Sequence, residues 1–182
     1  MRKCPSLLLV PLALLLLGAT VPPVLSDGPA SDGRTRVKDD VGLIQQMFFL
    51  QKMKPDLKRI GLIWKKGVAN QKAKLKTAKR AVASIGGKLF VGYVEDKSEV
   101  ADNFRLLTGK HDVQALWIIE NDGIVNASAP QKYLTKNAIE EGIPLLAPTQ
   151  DWVDAGAPLS IVRANGEIQI MLNEPAAKAT GL

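Results

Sequence analysis

Short apolar runs alternate with amphipathic stretches along most of this chain, and that alternation constrains the fold more than any other feature. Arg59–Trp64 (RIGLIW) is apolar and runs into a Gly-containing loop, the pattern of a strand buried on both faces. From Gln71 onward, Leu75, Ala78, Val82 and Ile85 fall on one helix face, which Gly86-Gly87 stops. Leu89–Val94 (LFVGYV) is a second strand, and residues 98–108 predict a helix with Val100, Phe104 and Leu107 turned inward. Val113–Ile119 (VQALWII) is a third strand. After the loop ENDGIVNAS a helix is predicted from Pro130 to Glu141, ended by Gly142, and Ile143–Ala147 (IPLLA) is the fourth strand. Asp151–Ala155 is a brief helix. Leu159–Ala164 and Glu167–Leu172 flank Asn165-Gly166, a hairpin signal because both turn positions take a positive φ. The closing stretch EPAAKATGL is left without an element. Upstream, Val41, Ile44, Met47 and Phe48 are placed on one inward stripe of a helix over 38–53, ended by Pro55. Strand–helix units at this spacing predict a single-lobe, three-layer α/β domain over 38–182. Its sheet is mostly parallel with helices on both faces and right-handed crossovers, and it ends in a β-hairpin.

The first 26 residues have a different character. Arg2 and Lys3 precede an apolar run from Leu7 to Leu17, and Val24-Leu25-Ser26 offers small residues for cleavage before Asp27. The run is about half the ~20 residues a spanning helix needs, so a cleaved export signal is expected; an uncleaved N-terminal anchor is the alternative. The protein is thus expected in the periplasm or secreted. Cys4 lies ahead of the apolar run, where it is no lipid anchor, and cleavage would remove the only thiol. Residues 27–37 then form a Gly/Pro/Asp/Ser-rich lead-in.

Charge is distributed unevenly. The net +6 falls to +4 in the 156 residues after Ser26, which hold 22 Lys+Arg against 18 Asp+Glu. Between Leu57 and Val94 stand ten Lys/Arg and no acid, leaving a net of −6 elsewhere. Lys72, Lys76, Lys79 and Arg80 lie on the polar side of the 71–85 helix, with Lys74 toward its flank. They form either a solvated face or a patch for anionic lipid, a cell-envelope polymer or an acidic protein.

Enzyme chemistry finds few residues to work with. One Cys and one His cannot build a zinc finger, an iron–sulfur centre or a disulfide framework. KKGVANQK lacks the spacing of a phosphate loop. His111 sits beside Asp112 at the amino end of a strand, opposite the expected site, and is read as a surface residue. Asp39-Asp40 and Glu140-Glu141 are consecutive on helices and point apart. No enzyme, metal, cofactor or nucleic-acid partner is expected. In open α/β sheets ligands bind beyond the carboxyl ends of the strands. Here that rim comprises Trp64-Lys65-Lys66 through Asn70, Glu95-Asp96, Glu120-Asn121-Asp122 and Thr149-Gln150-Asp151. It suits hydrogen bonding to a small polar ligand, although on the residues alone the reading preferred is the ordinary solvated rim that every such fold has.

Several segments add a family likeness. LQKMKPDLKRIGLIW, GVANQKAKLKTAKRAVASIGGKL, ALWIIENDGIVNAS, GIPLLAPTQDWVDAGA and IMLNEPAAKATGL occur in an order that resembles the tryptophan/tyrosine-type periplasmic substrate-binding proteins of ABC transporters. The likeness spans roughly residues 43–182. Asn70 matches the Asn that opens a helix in that family, and Asn121-Asp122 its polar strand-end pair. The resemblance implies a periplasmic-binding-protein-like lobe that takes a small, amino-acid-like ligand and works with a membrane permease. Asn70, Asn121, Asp122, Thr149 and Asp151 would supply hydrogen bonds and Trp64 an apolar or stacking wall. Those receptors close two lobes around their ligand, whereas this chain has residues for one. The tail also resembles small periplasmic regulators of the YfiR type, which restrain a membrane diguanylate cyclase by contact. That likeness implies an adaptor role toward a membrane signalling protein.

Overall fold

Six strands and six α-helices follow one another through residues 41–182, the part of the chain that the computed structural model describes. The predicted export signal, the lead-in, Asp39-Asp40 and the start of the first predicted helix lie outside the described residues. The strands are β1 (Arg59–Lys65), β2 (Lys88–Val94), β3 (Ala115–Trp117), β4 (Leu145–Ala147), β5 (Leu159–Ala164) and β6 (Glu167–Leu172). The helices are α1 (Leu43–Met53), α2 (Gln71–Ser84), α3 (Glu99–Arg105), α4 (Ser128–Glu140), α5 (Gln150–Asp154) and α6 (Glu174–Ala179).

The strands make one sheet in the order β2-β1-β3-β4-β5-β6. Its first five members run parallel, and β6 returns antiparallel through the Asn165-Gly166 turn, at φ 53° and 81°. The mostly parallel α/β sheet with a terminal hairpin is therefore as the sequence predicts. Both faces of the sheet are covered. On one, Met47 and Leu50 of α1 and Ala78, Ala81 and Val82 of α2 pack on Ile60, Trp117, Leu146 and Leu159. On the other, Val100, Phe104, Leu134, Ala138 and Trp152 pack on Ile63, Leu116 and Leu145. Five consecutive buried residues in β1 reflect this double cover.

Three local expectations change. In α1, Ile44 and Phe48 are half exposed, while Met47 and Leu50 are buried. Apolar residues nearly encircle this helix, and the stripe that wins is the one running 43-47-50, because Trp117 and Leu146 lie beneath it. The third predicted helix is α3 followed by a π-helical turn, Leu106–Lys110, which delivers Leu107 into the core. The tail, left without an element, forms α6. Asn173 caps it by accepting a hydrogen bond from the Ala176 amide at 3.2 Å, with Pro175 in the first turn. Among the described residues no helix is long and apolar enough to cross a membrane.

Candidate functional site

The chain leaves β1 toward β2 on one side and comes back from β2 to β3 on the other, so the carboxyl ends of β1 and β3 flank a topological switch. A cleft of about 850 Å3 opens there. Its walls come from the ends of β1 (Lys65), β3 (Ile119–Gly123), β4 (Pro148, Thr149) and β5 (Ile161–Arg163). The amino-terminal half of α2 (Lys74, Thr77) and the start of α1 (Leu43, Gln46) complete it. A volume of this size falls in the range of small-molecule sites.

Glu120 is the electrostatic centre of the cleft. Its Oε2 accepts a hydrogen bond from the Trp64 indole N–H at 2.6 Å, and its Oε1 pairs with the Lys74 ammonium. One carboxylate thus satisfies a buried indole donor and neutralises a lysine drawn from the flank of α2. Asp122 is also engaged from within. Its Oδ1 accepts the amide N–H groups of Ile124 at 2.8 Å and Val125 at 2.7 Å, pinning the loop after β3. Asn126 tightens that loop by donating to the carbonyls of Glu120 and Asp122 while accepting from the Trp152 indole at 2.5 Å. Gln46 accepts from the Trp117 indole at 2.8 Å and donates to the Val41 carbonyl at 3.0 Å. The Arg163 guanidinium donates to the Gly166 carbonyl of the hairpin turn at 2.8 Å, and Arg163 lines the β5 side of the cleft.

Of the residues singled out from sequence, Asn121, Asp122 and Thr149 come together on the cleft. Trp64 does not form its wall. It is 1% exposed, because β1 is covered on both faces, and it reaches the site only through Glu120. Asn70 is exposed at φ 57° just before α2; its neighbours Val68 and Ala69 line the cleft and it does not. Asp151 is exposed in the first turn of α5, also outside the lining. Lys65, Lys74, Glu120 and Arg163 line the cleft as well, beyond the binding residues expected from sequence. Lys65 and Glu120 belonged to the predicted rim, and the position of Lys74 toward the helix flank was the signal for its place.

The far end of the rim is occupied with itself. Lys66 bonds Glu95 at 2.5 Å, and this hydrogen bond, with the attraction of the charges, holds the ammonium above the usual lysine range. Asp96 accepts from the Ser98 amide and hydroxyl, each at 2.8 Å, and these hold its carboxyl below the usual range. Neither Glu95 nor Asp96 lines the cleft. His111, read as a surface residue, is half-buried and stacks on Phe90 with ring centres 4.6 Å apart. Among the described residues no group of three or more His, Cys, Asp or Glu is placed to hold a metal.

Comparison with known proteins matches residues 27–172 to the family described as ABC transporter substrate binding protein. No curated protein matches the sequence. Among solved structures, the chain is similar to an ABC domain in complex with L-Trp from Streptococcus pneumoniae. The identity is 19% and the TM-score 0.59, over 77% of this chain and 43% of that one. A ligand-free, open substrate binding protein with adhesive properties from Clostridium difficile is 20% identical, with a TM-score of 0.64 over 79% and 57%. A conserved domain protein from Vibrio cholerae is 16% identical, with a TM-score of 0.65 over 79% and 56%. The chain spans about half the length of these structures. At such identities they establish a shared fold.

Proposed function

The chain belongs to the ABC transporter substrate binding protein family, and on that premise we propose that it binds a small polar ligand in the cleft at the β1/β3 switch, as the receptor of an ABC-type transport system. The observation that carries this reading is the convergence on one cleft of Lys65, Asn121, Thr149 and Arg163. The two acids beside them, Glu120 and Asp122, are already bonded to the protein's own donors. In this account Asn121 and Thr149 hydrogen-bond the ligand and the Arg163 guanidinium meets its acceptor oxygens. Trp64 and Lys74 hold Glu120 in place. The protein performs no chemistry on the ligand.

An amino acid is the first ligand to try, since a relative of the same fold is a complex with L-Trp. Export to the periplasm is part of the proposal, supported by the leader-like residues 1–26 and by a family match that begins at residue 27. A permease would be the membrane partner. Isothermal calorimetry against amino acids, L-tryptophan first, tests the binding. Saturable heat is expected, with affinity about fivefold weaker in Thr149→Ala, since one hydrogen bond is worth about 1 kcal/mol. No heat from any member of the panel, with the protein folded, would overturn the proposal.

A further inference from the structure

The cationic block between Leu57 and Val94 does not serve one purpose in the folded protein. Three of its ten Lys/Arg leave through ion pairs with acids from outside the block: Arg59 with Asp112, Lys66 with Glu95 and Lys74 with Glu120. Lys72, Lys76, Lys79 and Arg80 make no such pair among the described residues, and all four are exposed on α2. Their stems border a shallow, mainly apolar trough of about 480 Å3, to which Leu75 and Ala83 also contribute.

We propose that this face of α2 docks on a bilayer surface rich in anionic phospholipid. The charge sign requires an anionic partner, and the residue types select among anionic partners. Energetic centres of protein–protein interfaces concentrate Trp, Tyr and Arg, whereas interfaces as a whole are depleted in Lys. This face has three lysines, one arginine and no aromatic residue. A lipid surface needs no shaped pocket. It needs clustered cations on stems long enough to lie along apolar surface while their heads reach phosphate, the arrangement found here. Each such cation near an anionic membrane is worth about fivefold in binding.

The test is co-sedimentation of the full chain with vesicles of phosphatidylglycerol mixed into phosphatidylcholine, against phosphatidylcholine alone. The difference between the two vesicles removes any partition by the apolar run Leu7–Leu17. Two variants of equal charge are compared: K72Q/K76Q/K79Q/R80Q, and K110Q/K132Q/K136Q/K178Q, whose lysines are exposed on other elements. All eight positions are exposed, so circular dichroism should show both variants folded. The first should lose the phosphatidylglycerol-dependent binding by roughly several hundredfold, and the second should keep it. Equal loss in both variants would reduce the effect to net charge and overturn the proposal. So would undiminished binding by the first variant, or no preference of the parent protein for phosphatidylglycerol.

Discussion

Glu120 stands where the chain leaves β3, about one-fifth exposed, and the packing around it explains why it is an acid. Trp64 is buried, its indole N–H has to be satisfied, and Glu120 supplies the acceptor. The second carboxylate oxygen then holds Lys74 on the cleft wall. Glu120→Ala should destabilise the fold by about 1–3 kcal/mol, because it leaves a buried donor without a partner. Glu120→Gln keeps an acceptor for Trp64 and removes only the negative charge that faces Lys74, so its cost should be smaller. Denaturant midpoints of the two variants measure the difference; equal midpoints would mean that Trp64 does not depend on this bond. Asn121, Asp122 and Thr149 were legible from sequence because each follows a strand, and strand ends locate the rim. Lys74 was legible only as a residue on the flank of its helix, and Arg163 not at all. One depends on how α2 rolls against α1, the other on the sheet order that brings β5 beside β4.

At the scale of elements, α1 shows what apolar periodicity leaves undetermined. LIQQMFFLQKM offers two overlapping stripes, one through Ile44 and Phe48 and one through Leu43, Met47 and Leu50. The sheet chooses the second, since Met47 and Leu50 meet Trp117 and Leu146 there. Met47→Ala should therefore cost about 2–5 kcal/mol, as a cavity in the core. Phe48→Ser, at a position 50% exposed, should fall within about 0.5 kcal/mol of the parent. Thermal unfolding of the pair checks this, and the reverse ranking would turn Phe48 inward, as expected from sequence. In α2, by contrast, Lys and Arg crowd the polar side and leave one apolar face, and Ala78, Val82 and Ile85 are buried as expected. The helix α6 leaves no periodic signal because six residues are too few to show one. Its start signals, Asn173 and Pro175, are visible only once a helix is sought.

For the whole molecule, the alternation of strands and helices carried the architecture, because a buried parallel strand and a one-faced helix leave few other ways to pack. Position within the sheet was not carried by it. The switch between β1 and β3 is a property of strand order, and it decides which segment of the rim becomes a cleft and which, at Glu95 and Asp96, bonds to its own neighbours. In the proposed binding mode the ligand is held chiefly by directional bonds to the strand ends, and its contacts should be confined to them. Amide chemical-shift mapping during titration with the amino acid that gives the strongest heat tests whether the ligand sits in this cleft. Saturable shifts are expected at Lys65, Asn121, Asp122, Thr149 and Arg163, with α3, α4 and the outer face of α2 unmoved. Shifts centred away from these five residues, or none on a folded protein, would contradict it.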